Sequence, residues 1–281
     1  MIELMKLSNG VLMPQLGIGT FLVADGKTAY DTVKYALEVG YRLIDTAQMY
    51  KNEESIGQAI KDSNIDRKDI FITTKQARTG SISYMEKQLN ASLKALQTDY
   101  VDLYLIHWPN GDKNINQDTW RFFEKIYEAG KAKAIGISNF QKHMIEDILE
   151  IATIKPMVNQ VECHPGLTQV PLKAYLDAMH IQMESYGPFM RGGVFNEPYK
   201  ETLEEIAIKH NATIAQIVIA WGLHRQMIMI PKSITPSRIL QNFKAQYIKL
   251  SEEEVQMITD LNRGQRLYTD PDNSPWGAYI K

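Results

Sequence analysis

Three consecutive apolar runs of this chain close on side chains that can do acid–base chemistry. Arg42–Asp45 ends in a carboxylate, Ile70–Lys75 in an ammonium and Val101–His107 in an imidazole, while a phenol, Tyr50, follows Asp45 by five residues. Short apolar runs of this kind read as strands, and sequential strands are usually spatial neighbours, so the four side chains can converge on one small volume. A phenol, with a reference pKa near about 10, gives up its proton slowly at neutral pH. An adjacent ammonium favours the phenolate, and Lys75 is therefore expected to lower the Tyr50 pKa and make it a usable general acid. Asp45 would hold Lys75 charged, because a desolvated ammonium without a counter-ion loses its proton. A neutral His107 would hydrogen-bond the oxygen being protonated. Plainer readings stand beside this one: a buried Asp–Lys pair is often structural, and a strand-end lysine also serves as the Schiff-base nucleophile of aldolase-type barrels. The carboxylate and phenol close to Lys75 favour the acid role.

The elements that must position these residues alternate along the chain. Strands are expected at Leu16–Gly19, Arg42–Asp45, Ile70–Lys75, Val101–His107, Ala134–Ser138, Met157–Glu162, Gln182–Ser185 and Met227–Pro231. Between them apolar residues recur at helical spacing, as in Tyr30, Val33, Leu37 or Met85, Leu89, Leu93, Leu96. Continuous apolar strands such as VDLYLIH suit a parallel sheet covered on both faces. A doubly wound dinucleotide fold would need G-x-G-x-x-G after the first strand, but Gly17-Ile18-Gly19-Thr20-Phe21-Leu22 has leucine at the third glycine. The expected class is α/β, a (β/α)8 TIM barrel with an N-terminal β-hairpin and extra C-terminal helices, residues 1–281 forming a single domain. The hairpin turns at Asn9-Gly10. The extra helices fall near Thr202–His210 and Ser251–Leu261, and the tail Thr269–Lys281 reads as irregular.

Composition narrows the function classes. Of 281 residues 44% are hydrophobic and 23% charged, the balance of a globular protein with a sizeable core. A formal net charge of −2 gives no bulk basic field for nucleic acid or an anionic membrane, so neither partner is expected, although a local basic pocket is compatible with it. One cysteine, Cys163, forms no intrachain disulfide, and no secretory leader or membrane helix is read; a cytoplasmic protein is expected. His143, His180, His210 and His224 lack metal-ligand spacing, Cys163-His164 has no second pair, and no metal is expected.

Three longer motifs carry a resemblance. Gly40-Tyr41-Arg42-Leu43-Ile44-Asp45-Thr46-Ala47-Gln48-Met49-Tyr50-Lys51-Asn52-Glu53 resembles the first signature of the aldo-keto reductases, Lys133–Phe140 the second, and Ile230–Arg238, continuing to Asn242, the third. They occur in family order, with LIHWP and NQVECHP between them. The resemblance, nearest to the bacterial diketogluconate reductase and prostaglandin F synthase-like branch, implies an NADPH-dependent reductase of aldehydes and ketones. Tyr50 would be the proton donor, completed by Asp45, Lys75 and His107. It implies cofactor contacts from Gly19, Thr20, Asp45, Ser138, Asn139, Gln160, Tyr186, Lys232, Ser233, Arg238 and Asn242, with the nicotinamide amide held by Ser138, Asn139 and Gln160 and its ring stacked on Tyr186. Read alone, Tyr186 is equally a core aromatic; the motif SYGPF places it with the family. A small carbonyl substrate would meet Phe21, Tyr50, His107 and Trp108, and family members of this type are mostly monomers.

The third motif also has its own physics. Thr235-Pro236 reads as an N-cap and first helical residue, so a helix over Pro236–Ala245 would aim its free amides at the rim between Lys232 and Arg238, a place suited to phosphate. Two departures from the family pattern touch the substrate side. Gln76 follows Lys75 where many relatives carry tryptophan, and Gly166 follows His164-Pro165 where an aromatic is common; the loop Asn110–Gln117 reads as short and polar. A different class of function, a silent nicotinamide-binding regulatory barrel, is the alternative to an enzyme.

Overall fold

Strand pairing in the computed structural model, which describes residues 2–278 and 280, begins with a hairpin of β1 (Leu4–Lys6) and β2 (Leu12–Pro14). Its turn places Gly10 at φ 90°, a region that disfavours any side chain. The neighbouring Asn9 amide donates to the Lys133 carbonyl at 2.9 Å, at the foot of a barrel strand. With Leu7 and Met13 buried beneath it, the hairpin lies against the N-terminal ends of the strands.

Eight parallel strands follow in sequential order: β3 (Ile18–Gly19), β4 (Leu43–Asp45), β5 (Phe71–Gln76), β6 (Val101–Ile106), β7 (Ala132–Ser138), β8 (Val158–Glu162), β9 (Gln182–Tyr186) and β10 (Ile228–Met229). The first and last are the shortest, and they close the barrel. Leu16 bridges Met229 in parallel, the Met229 amide donates to the Gln15 carbonyl, and the Gly17 and Gly19 amides donate to Met229 and Pro231. This is the expected (β/α)8 barrel with its hairpin, each expected strand present with its ends shifted by at most two residues.

Helices α1 (Lys27–Val39), α2 (Glu53–Lys61), α3 (Ile82–Ala95), α4 (Lys113–Glu128), α5 (Lys142–Leu149) and α6 (Val170–Met179) separate the strands. After β9 come α7 (Lys200–Lys209) and α8 (Ile214–His224), and after β10 α9 (Pro236–Lys244) and α10 (Glu252–Thr259), which supply the extra helices. Each buries one stripe: in α4, Trp120 and Phe123 are fully buried, with Phe123 stacked on Tyr104 of β6 at 4.9 Å. Among the described residues no single helix is long and apolar enough to cross a membrane.

One local expectation is corrected. The polar loop read over Asn110–Gln117 stops before Lys113, because Asp112 caps α4 by accepting the Asn114 amide at 2.8 Å. Asn116, inside the helix, then clamps Asn110 through both its amide and its carbonyl. The tail is irregular apart from a short turn at Pro271–Asn273, yet it is tied down. Thr79 and Asn110 donate to the Gly277 carbonyl at 3.2 and 2.6 Å, and the Ile280 amide donates to Thr79. It thereby crosses the loops after β5 and β6. Tyr279 and Lys281 lie outside the described residues.

Candidate active site

Tyr50 reaches the C-terminal rim on a tight turn, Gln48–Tyr50, that follows β4. Lys51 at φ 57° ends that turn, and buried Asn52 anchors it, accepting from the Thr46 hydroxyl at 2.8 Å and donating to the carbonyls of Thr20 and Val23. One asparagine thus joins the loop after β3 to the loop that carries the phenol. The sequence reading did not assign Asn52 a role.

Lys75, fully buried at the end of β5, donates to both Asp45 oxygens at 2.8 and 2.7 Å, to the Thr46 carbonyl at 2.9 Å, and to the Tyr50 hydroxyl at 3.3 Å. His107 lies edge-on to the Tyr50 ring, 5.6 Å between centroids. All four residues expected at the rim are therefore in one cluster. Burial, reinforced by the Lys75 charge, holds the His107 imidazole well below its usual range, which makes it neutral at pH 7, and its Nδ1 has no partner among the described residues.

The electrostatics of Tyr50 correct the expectation. Burial pushes its phenol well up rather than down, and the Asp45 carboxylate, with the Glu184 carboxyl once that ionises, pushes the same way. The ammonium that was to favour the phenolate is neutralised by its two contacts to Asp45, so Tyr50 feels a pair of opposite charges with a further carboxyl behind it. The phenol holds its proton.

That further carboxyl was not read from the sequence. The parallel register places Glu184 of β9 beside Gln160 of β8. The Gln160 amide nitrogen donates to Asp45 at 2.7 Å and to Glu184 at 2.9 Å. Burial and the Asp45 charge push the Glu184 carboxyl up to about 8.

Beside Gln160, Ser138 donates to the Gln160 backbone carbonyl, Asn139 donates to the His107 carbonyl, and the Tyr186 hydroxyl donates to Asn139 at 2.8 Å. Tyr186, half-buried, meets Tyr268 edge to face at 5.2 Å. Tyr268 also faces Phe21, which packs on Tyr50 at 5.1 Å, and Arg191 lies 4.5 Å over the Tyr268 ring. Tyr268 comes from the tail and was missed. A buried pair fixes it: Glu162 accepts His164 at 3.0 Å, the Leu267 amide at 2.7 Å and the Tyr268 amide at 3.3 Å. His164 is thus part of an anchor.

The remaining residues divide into available and engaged. Thr20 is fully buried with its hydroxyl donated to the Asp45 carbonyl, and Gly19 is closed in, since a Cβ there would lie 2.7 Å from the Ile230 carbonyl. Ser233 and Asn242 are buried, whereas Lys232 and Arg238 are exposed around the start of α9. Thr235 is the N-cap without a side-chain hydrogen bond and Pro236 has no N–H, so the first free amides of α9 belong to Ser237 and Arg238. Trp108 is half-buried beside His107. Gln76 is buried and donates to the Arg78 carbonyl, and a Cβ on Gly166 would come within 2.7 Å of Met190 and the Tyr199 hydroxyl. The space an aromatic would take at 166 is filled by those two side chains.

Removing the central cation has a calculable consequence. Lys75→Met leaves the buried Asp45 carboxylate with Gln160 alone, and the fold is expected to lose about 3–5 kcal/mol in denaturant titration. Asp45→Asn added to Lys75→Met should restore much of that stability without restoring turnover. A single Lys75→Met variant as stable as wild type would show that the ion pair is not what holds the rim together.

Comparison with known proteins adds to the geometry. Residues 15–263 match the sequence model described as the aldo/keto reductase family. The chain is 46% identical over 275 residues to a glyoxal reductase of Bacillus subtilis, covering 96% of each protein. It is 43% identical over 271 residues to a methylglyoxal reductase of Yersinia pestis, again covering 96% of each. A solved aldo-keto reductase from a Medee basin deep-sea metagenome library superposes with a TM-score of 0.93 at 46% identity, over 97% of this chain and all of that one.

Proposed function

The chain belongs to the aldo-keto reductase family of oxidoreductases, and from that premise we propose that it reduces small aldehydes, α-oxo-aldehydes foremost, with NADPH, using Tyr50 as the proton donor. One observation carries the assignment of the acid: the Tyr50 hydroxyl lies 3.3 Å from an ammonium that is itself held by both oxygens of Asp45, beside a neutral His107. The substrate class rests on relatives named for glyoxal and methylglyoxal at 46% and 43% identity.

The residues present fit a nicotinamide dinucleotide. Tyr186 offers a partly exposed aromatic face, and the side-chain carbonyl oxygen of Gln160, whose amide nitrogen is held by Asp45 and Glu184, is an acceptor for a carboxamide N–H. Ser138 and Asn139 stand next to it. At the other end the Ser237 and Arg238 amides, with Lys232 and Arg238, suit a phosphate. Bound there, the reduced cofactor supplies a hydride to the carbonyl carbon.

The chain's own groups then govern the proton. His107, neutral, donates a hydrogen bond to the carbonyl oxygen and orients it. Tyr50 keeps its proton while that oxygen is a weak base and releases it as the oxygen becomes an alkoxide, a stronger base than a phenolate. Lys75 faces the phenolate left behind. Phe21, Trp108 and Tyr268 exclude water on the substrate side.

The test is loss of NADPH absorbance with glyoxal, methylglyoxal, simple aldehydes and sugars. Turnover is expected with the α-oxo-aldehydes, without added metal. Tight NADPH binding with no oxidation by any compound would overturn the enzyme assignment in favour of a silent binding barrel.

A further inference from the structure

We propose that Glu184 is a positioning residue of the reduction, held as the neutral acid. It fixes the orientation of the Gln160 amide and keeps a second negative charge away from the side chains around Tyr50. The proposal rests on Tyr50 being the proton donor.

The geometry begins with the register of β8 and β9, which pairs Gln160 with Glu184. Two acceptors, Asp45 Oδ2 at 2.7 Å and Glu184 Oε2 at 2.9 Å, share the one Gln160 amide nitrogen. A flipped amide would set its carbonyl oxygen against Asp45, so the two carboxyls together fix the flip and turn the carbonyl away from them. The charge count then decides which carboxyl is ionised. Lys75 contacts both Asp45 oxygens, whereas Glu184 receives one neutral donor on Oε2 and none on Oε1. A buried carboxylate with one neutral donor is costly, and a proton on Oε1 removes that cost. The groups facing Glu184 are Asp45 from β4, Lys75 from β5, Tyr50 from the turn after β4 and the neutral Gln160 from β8; β10 brings only Ile228 and Met229. Burial and Asp45 set the Glu184 carboxyl at about 8, in the direction the geometry requires.

Proton donation turns Tyr50 into a phenolate beside Asp45 and Lys75. With Glu184 neutral, Lys75 faces two negative charges at that moment; with Glu184 ionised it faces three. Reduction should therefore slow as Glu184 loses its proton, and kcat in wild type is expected to fall on the alkaline side.

Glu184→Gln keeps the shape and removes the titration. The alkaline fall in kcat is expected to move up by about one pH unit or more, with kcat near pH 6.5 within about threefold of wild type. If Glu184 were instead ionised throughout, removing its charge would ease ionisation of Tyr50, and the limb would stay or move down; either result overturns the proposal. Glu184→Met removes the bridge as well, and should show the same upward movement with a cofactor KM raised about tenfold.

A measurement on folded wild type stands behind both variants. Infrared difference spectra should show a protonated carboxylic acid band at neutral pH that disappears at alkaline pH and is missing from Glu184→Gln. Absence of a band titrating in that range from wild type overturns the proposal whether or not a variant folds. Tyr50→Phe run alongside separates the two failures: full turnover in that variant removes the donor assignment, while the infrared band still reports Glu184.

Discussion

Tyr50→Phe is expected to fold as wild type does and to lose kcat by a factor of about 10² or more, the usual contribution of a general acid. The change removes one oxygen. The Phe21 packing at 5.1 Å is made by the ring and survives. Lys75 loses one partner at 3.3 Å but keeps both Asp45 oxygens and the Thr46 carbonyl. Stability should therefore change little, in contrast to Lys75→Met. The chemistry has no replacement donor: His107 is held neutral, and as an imidazole it can orient the oxygen but not supply the proton as readily as an imidazolium. Cofactor dissociation constants should be unchanged, which places the loss in the reaction step. Rates within tenfold of wild type at saturating substrate would exclude Tyr50 as the donor.

The barrel could be read from the sequence because its strands are apolar runs whose period and spacing survive in the fold. Asp45, Lys75 and His107 were visible as polar ends of such runs, and Tyr50 through its distance from Asp45. Glu184 was hidden in Gln182–Ser185, where a lone acid in a strand gives no local sign of facing inward. The signal lay in register: once Gln160 of β8 is taken to face the site, its parallel neighbour faces it as well. The Tyr50 shift was expected with the wrong sign because burial, which raises the phenol, outweighs an ammonium whose charge Asp45 offsets.

Tyr268 was hidden for another reason. No periodicity marks an irregular tail, and what folds it over the rim is long-range: a buried carboxylate, Glu162, about a hundred residues earlier, holding two backbone amides. The same carboxylate gives His164 a structural partner that the sequence did not show. At Gly166 the sequence showed a missing aromatic, but only the packing of Met190 and Tyr199 shows that the space is filled from elsewhere.

NADPH is expected to bind more tightly than NADH by roughly two powers of ten or more, from the contacts available to its additional phosphate. The segment from Ile230 to Leu250 contains Lys232, Arg238, Lys244 and Lys249 and no Asp or Glu. A site for the plain ribose usually places a carboxylate near its hydroxyls, and such a carboxylate would repel the phosphate. Here the α9 N-terminus offers the Ser237 and Arg238 amides instead, and its macrodipole favours an anion. Lys232 and Arg238 flank the same place, and the planar guanidinium can bind phosphate oxygens in pairs. Each charge-assisted contact contributes about 1.5–3 kcal/mol where solvent is excluded. Because both cations are exposed, screening reduces that figure, which is why the expectation stays at the low end of two such contacts. Arg238→Ala should therefore weaken NADPH about tenfold and NADH little, with kcat at saturating NADPH unchanged because the residue lies away from Tyr50. Raising salt should shrink the preference in wild type and hardly affect it in the variant. Equal dissociation constants for the two cofactors, measured by tryptophan fluorescence quenching at low ionic strength, would overturn the NADPH assignment and leave the roles of Tyr50, Lys75 and Asp45 standing.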